Sequence, residues 1–467
     1  MHSSSLKLHH HLALLITGGV AILLGLMIWV PHTDFTWHDQ QRLGQIAISV
    51  LAFSGILLLR PSGASLANPL WLWPAVGVLV LGALSASLAL HPLWAASELA
   101  LLVGSAGIGF FVFCLVREFE DRADLVLGAF LRLLLAGMVL HFYVSFIAAM
   151  AHADLYFTPW SLLNGFSNMR FQGQFLTIVV PLLVARLFLP EGASVRYPRG
   201  VDMFLMVSLA GMVFVAGTRG TIAAWLAVSI VFLGVKGGGR DVAKRILLVM
   251  VAGFALAWLV LHTTSWVTGQ AADNRFASEQ VFGLSLREVL WKHAWAKIVE
   301  FPWLGIGPMH FASLKNPVAN HPHQAMLQIA SEWGLPVFFM IMAVVTLWLA
   351  KVFGEVRSSD RKAGGELRWA LLFAVLSSIV QSMVDGVLVM PYPQLWLAIT
   401  VGWCSARCLP RFQGDGGHLP RWVPLLVWGG ANVLLIAVAV MSYPDLVGAG
   451  EYCGGGGGPR FWCNGRI

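Results

Sequence analysis

LALLITGGVAILLGLMIWV, residues 12–30, runs for nineteen positions without a charge. At 1.5 Å per residue, a helix of this length covers about 28 Å, close to the hydrocarbon thickness of a bilayer. No small-residue cleavage site follows it and further apolar stretches do, so it reads as a retained first helix, not a removable leader. Comparable runs recur at 44–60, 69–89, 94–116, 124–150, 172–190, 202–217, 221–235, 245–262, 325–352, 368–389, 392–408 and 422–442. The chain is 58% hydrophobic and only 11% charged, with a mean hydropathy of +0.75. A soluble domain needs far more charge to clothe its surface, so the solvent for most of this chain is lipid. The expected fold is all-α: a polytopic membrane protein of about 12–13 transmembrane helices in a lipid bilayer. The count hinges on the short 202–235 pair, broken at Gly217-Thr218-Arg219-Gly220.

The net charge of +7 reflects topology and not nucleic-acid binding. Lysines and arginines gather in alternate short loops: Arg60, Arg117 and Arg122, Arg196 and Arg199, Lys236 to Arg245, Lys351 to Arg368, and Arg407 to Arg421. Such loops stay inside, which leaves 31–43, 90–93, 151–171, 218–220, 263–324, 390–391 and the tail 443–467 outside. The cysteines agree with this orientation. Cys114, Cys404 and Cys408 lie in or near apolar spans as small core residues, whereas Cys453 and Cys463 flank a glycine run in the tail. Glycine lets so short a loop close, and a disulfide there persists only in an oxidising compartment. The organisation expected is one transmembrane domain over 1–467, with a helical subdomain at 263–324 inserted on the outer side.

That inserted segment is too long to be a plain connector. From Leu286 to Val299 it has helical periodicity that puts Arg287, Trp291, Ala294 and Ile298 on one face, with Glu288 and Lys292 pointing elsewhere. Such a helix either packs against the bundle or lies along the membrane surface. Pro302-Trp303-Leu304-Gly305-Ile306-Gly307-Pro308 then breaks it.

Asn320-His321-Pro322-His323-Gln324 follows, at the outer mouth of the next span. Pro322 fixes the local backbone, and a neutral imidazole at His323 can take a proton from a hydroxyl near neutral pH. A metal pair is the competing reading, but His-x-His here lacks a third ligand at recognisable spacing. A purely structural role for the two histidines stays open. Arg170, Arg219, Arg275 and Arg287 face the same outer side, and the planar guanidinium fork suits phosphate oxygens. Snorkelling is the plain alternative for each. Glu332 and Asp385 are carboxylates inside spans, where charge is costly and commonly functional. Asp385 is placed to support the site, and Glu332 either supports it or bonds between helices.

These residues fall into an order that resembles the O-antigen ligase and polymerase superfamily. Thr218-Arg219-Gly220 is similar to its Ser/Thr-Arg-Gly turn. Arg287…Trp291…Pro302-Trp303-Leu304-Gly305-Ile306-Gly307 is similar to its Arg-x-x-x-Trp…Pro-x-x-Gly-x-Gly block. His323-Gln324-Ala325-Met326-Leu327, followed by Glu332-Trp333-Gly334-Leu335, is similar to its His-Asn-x-x-Leu…Glu-x-Gly-Leu pattern, with Gln324 where the family usually has Asn. The resemblance implies an O-antigen ligase of the bacterial inner membrane, its active site facing the periplasm. It would transfer a glycan from an undecaprenyl diphosphate carrier to a hydroxyl of lipid A–core, inverting the anomeric centre. His323 would be the general base, with Arg219, Arg287 and Arg170 on the donor diphosphate. His321, Gln324, Glu332, Trp291 and Asp385 would support them, and no metal or other cofactor would be required. An O-antigen polymerase and a protein O-oligosaccharyltransferase use the same donor and remain alternatives. A polyprenyl-linked glycan transporter would instead place its ionisable groups near the bilayer midplane.

Overall fold

The computed structural model describes residues 2–31, 36–59, 69–151, 159–186, 199–269, 286–314, 319–359, 365–410, 422–443 and 460. Among the described residues there are fifteen α-helices and no strand. In chain order they are α1 (His2–Trp29), α2 (Trp37–Leu59), α3 (Pro69–Leu88), α4 (Pro92–Phe119), α5 (Asp121–Ala151), α6 (Met169–Arg186), α7 (Arg199–Val215) and α8 (Arg219–Leu233). They continue as α9 (Gly238–Thr268), α10 (Arg287–Glu300), α11 (Ala325–Trp333), α12 (Leu335–Ser358), α13 (Gly365–Ser382), α14 (Pro391–Cys408) and α15 (Trp422–Met441). Seven of the described helices are long and apolar enough to cross a membrane: α1, α2, α4, α5, α9, α12 and α15. Shorter apolar helices lie at Trp73–Leu88, Met169–Val184 and Arg219–Leu233. Many outward side chains are large and apolar, such as Leu15 at 70% exposed and Leu133 at 74%. A helix all of whose faces are apolar belongs in lipid, as the composition required.

The chain divides into two compact units. Unit 1 comprises Met1–Phe119, Leu284–Phe353 and Leu388–Ile467; unit 2 comprises Glu120–Gly283 and Gly354–Val387. In unit 1, a core of Ile46, Phe53, Ala100, Leu101, Leu435 and Val438 ties α2, α4 and α15 together. Helices α4 and α14 approach until a Cβ on Gly402 would overlap the Gly109 backbone. Lipid gives no hydrophobic drive between helices, so such close small-residue contacts supply the packing. Unit 2 is centred on α6, whose residues 171–184 are all buried, with α7, α8 and α13 against it. A buried ion pair, Arg132 to Asp202 at 2.9 Å, joins α5 to α7.

One expected span is corrected. The apolar run 325–352 is not a single helix but α11 and α12, interrupted at Gly334 with φ +81°. The cause is the Pro302–Gly307 turn, which docks backbone to backbone on the interruption. The Ile306 amide donates to the Ser331 carbonyl (2.9 Å), Gly307 to Glu332 (3.0 Å) and Leu335 to Pro302 (2.8 Å). A Cβ on Gly334 would overlap the Trp303 carbonyl, and one on Gly305, at φ +68°, would overlap the Glu332 backbone. The glycines of two separate motifs are therefore halves of one joint, and each needs both the positive φ and the missing side chain.

Replacing Gly334 by alanine is expected to destabilise the protein by about 1–3 kcal/mol, lowering its thermal midpoint in detergent. The same change at Gly429, which sits in open space within α15, is expected to be neutral or slightly stabilising. Equal behaviour of the two variants would refute the joint.

Candidate functional site

In unit 1, α10 buries Leu290, Ala294 and Ile298 and leaves Trp295 and Val299 exposed, so the buried stripe keeps Ala294 and Ile298 of the expected face but takes in Leu290, with Arg287 and Trp291 half-buried at its edge. Leu290 and Ala294 pack with Phe311 and Ala319, and Trp291, Leu314 and Leu327 close over them. The Trp291 indole N–H donates to the Pro322 carbonyl at 3.1 Å, which fixes the turn carrying both histidines. Arg287 opens α10 one turn before Trp291, about 6 Å along the axis, so it shares that end of unit 1 with the histidine turn.

His323 is 5% exposed and has φ +52°, a left-handed conformation that a residue with a Cβ rarely adopts. Such strain persists only where surroundings impose it, and it concentrates at functional sites. Its amide donates to Nδ1 of His321 at 3.2 Å, so Nδ1 of His321 is unprotonated. The two rings lie 4.0 Å apart, tilted by 59°. Gln324 is the N-cap of α11: its side-chain oxygen accepts from the Leu327 amide. The departure from asparagine at this position thus keeps a capping amide oxygen, delivered on a longer arm.

Glu332 lies at the joint with 0% exposure. It is bound bidentately by Arg460, at 2.9 and 3.1 Å, and accepts from the Phe311 amide at 2.9 Å. These bonds satisfy both carboxylate oxygens of a side chain that has no access to water. Arg460 also reaches Glu98 of α4 at 3.5 Å. Nearby, His310 donates from Nδ1 to the Pro308 carbonyl and accepts at Nε2 from the His91 amide, both at 2.8 Å, which holds it neutral. An apolar cavity of about 880 Å³ in unit 1 is lined by α4 from Glu98 to Glu118, together with Ala325, Gln328, Ile341 and Lys351.

Unit 2 holds the other expected residues. Arg219 is the first residue of α8, after Gly217 at φ +62° and Thr218, whose hydroxyl donates to the Val213 carbonyl at 3.2 Å. The Thr221 hydroxyl donates to the Gly173 carbonyl (2.9 Å) and accepts from the Gln381 amide (3.2 Å). A Cβ on Gly173 would meet Thr218 at 2.8 Å, so the first turns of α6 and α8 are in contact. Arg170 lies in the first turn of α6, its amide capped by Asn168 at 2.9 Å. Asp385 follows α13 and accepts the Gly386 amide at 2.9 Å, 3.7 Å from where a Gly220 Cβ would stand. Arg170 and Arg219 thus stand in the first turns of two touching helices, with Asp385 next to Gly220.

Residues 204–342 match the family model described as O-Antigen ligase. In this region the chain is similar to the O-antigen ligase family. No curated protein matches it. The matched region holds Arg219, Arg287, Trp291, the glycine joint, His323 and Glu332, while Arg170 and Asp385 lie outside it. The similarity supports a function of the ligase and polymerase type, in a chain whose apolar helices suit a membrane.

Among the described residues no group of three His, Cys, Asp or Glu side chains is placed to hold a metal ion. Cys453 and Cys463, expected to pair, lie outside the described residues, as does Arg275. Arg460, Glu98 and His310 escaped the sequence reading. Glu98 carried a signal, a lone carboxylate in an apolar span. Arg460 and His310 carried none.

Burial lowers the affinity of His310 for a proton below its ordinary value of 6.5; the hydrogen bond to Pro308 opposes this in part. Above that value neither the folded nor the unfolded state is protonated. As pH falls through it, the unfolded chain takes up a proton that the folded one refuses, so stability is lost. The thermal midpoint is expected to drop between about pH 7.5 and about pH 5.5, and to drop less in His310→Asn. An identical fall in both proteins would exclude His310 as the cause.

Proposed function

We propose that this protein is an O-antigen ligase of the bacterial inner membrane. It moves a glycan from a polyprenyl diphosphate carrier, undecaprenyl diphosphate, to a hydroxyl of lipid A–core on the periplasmic face. The reading rests most on His323, a nearly buried imidazole held in a left-handed turn by Trp291 and His321. A base must be held in place to be effective, and this one is held on both sides.

The acceptor oxygen attacks the anomeric carbon while its proton passes to the His323 imidazole. The bond from the anomeric carbon to the phosphate oxygen breaks, and the carrier diphosphate departs with the electron pair. Attack opposite the leaving group inverts the anomeric centre. Arg219 and Arg170, on two helix N-termini, and Arg287 hold the diphosphate, where permanent cations stabilise charge that grows as the bond breaks. The donor is already activated, so the roles left to the protein are positioning, deprotonation and charge stabilisation. Asp385 orients the arginine corner, and Gln324 and Trp291 keep the histidine turn in register. The apolar cavity of unit 1 follows α4 for twenty residues, about 30 Å, a length suited to a hydrocarbon chain.

The test is transfer by purified protein from a lipid-linked glycan donor. His323→Ala is expected to slow transfer by about 10²–10⁴-fold while still binding donor. Arg219→Ala is expected to weaken both donor affinity and turnover. Glycosylated lipid A–core supports the ligase. Extension of the donor alone would mean a polymerase, and modification of a protein acceptor would mean an oligosaccharyltransferase. Wild-type transfer by His323→Ala would overturn the mechanism.

A further inference from the structure

The buried cluster around Glu332 includes a residue the ligase reading does not use. Arg460 is fully buried, and its guanidinium spans two carboxylates from distant parts of unit 1, Glu332 and Glu98. Glu332 in turn accepts the amide of Phe311, and its carbonyl accepts the amide of Gly307. Phe311 packs with Leu290 and Ala294 of α10, and Trp291 of that helix bonds the carbonyl between the two histidines. A continuous series of contacts therefore runs from Arg460 through Glu332, Phe311 and Trp291 to His323.

We propose that Arg460 is a positioning residue for transfer, a strap from the C-terminal region that seats the 302–323 loop and so aims His323. The proposal deepens the function given above and rests on it. Without the guanidinium, Glu332 is left as a buried carboxylate without its bidentate partner and half-buried Glu98 loses its ion pair, and breaking one side of such a pair is more disruptive than never having had it. Glu332 then loses its fixed orientation, and the Phe311 amide loses the carboxylate oxygen that holds the loop. A misplacement of about 1 Å at the base is enough to slow catalysis by about 10²-fold.

The experiment compares full-length wild type, Arg460→Met and Arg460→Lys in lipid nanodiscs by hydrogen–deuterium exchange and by steady-state transfer. In Arg460→Met, exchange is expected to rise in peptides covering 307–323 and to stay at the wild-type level in 169–186. Turnover is expected to fall about tenfold or more, with KM for the donor changed by less than about twofold. Arg460→Lys, which keeps the charge without the fork, is expected to fall between the two. Wild-type exchange at 307–323, or wild-type turnover, in Arg460→Met overturns the strap. If Arg460→Met exchanges fast everywhere, the protein has unfolded and Arg460→Lys decides: wild-type exchange and turnover in that variant overturn it. Transfer by His323→Ala in the same assay separates the two claims, because wild-type transfer there defeats the function reading whatever Arg460 does.

Discussion

Glu332 has no access to water, and an ionised carboxylate in that position costs several kcal/mol unless its partners are complete. They are supplied from separate parts of the chain: Arg460 from the C-terminal region, the Phe311 amide from the inserted loop, and Gln328 from one turn earlier on α11. The Glu332 main chain adds a fourth tie, to Gly307. The rest of unit 1 around the histidine turn follows from this. Two glycines without side chains let the loop and the helix break meet, the loop carries Phe311 into the small core beneath α10, and α10 presents Trp291 to the turn. Remove any one of these and the next loses the surface it is built on.

The fold class was legible because lipid as solvent imposes long uncharged runs, and such runs survive in a single sequence without comparison. Most helices fall on the expected apolar runs for that reason, although 325–352 divides in two and seven described helices are long and apolar enough to cross a membrane. The break at Gly334 was not legible. An isolated glycine in an apolar run is tolerated in a helix, and what forces φ to +81° is the Pro302–Gly307 turn about thirty residues earlier. Local pattern cannot register a long-range backbone contact. The two glycine motifs were visible as separate signals; that they form one joint was not.

For the candidate site, the order of motifs led to His323, Arg219, Arg287, Trp291 and Glu332, and the family match spans all five. Geometry adds what each does to its neighbours. Trp291 was one member of a helical face and proves to be a hydrogen-bond donor to the turn. Gln324 was a departure from a pattern and proves to be a cap. Arg170 was chosen by position alone, yet it shares a corner with Arg219 because Gly173 lets α6 and α8 touch. Arg460 lies beyond a glycine run with no periodicity around it, and a buried cation in such a segment leaves no trace in composition. The Arg132–Asp202 pair was hidden for a different reason: a lone charge on each of two spans does not reveal which helix faces which.

The central claim is that a proton-accepting histidine and a set of fixed cations serve one lipid-linked diphosphate substrate. The most direct measurement is an experimental structure of the full-length protein with a polyprenyl diphosphate glycan bound. The expected result places phosphate oxygens in hydrogen-bond contact with Arg219 and at least one of Arg170 and Arg287, and leaves the sugar's anomeric carbon facing His323. A diphosphate held by other residues, with His323 touching neither glycan nor acceptor, would contradict it.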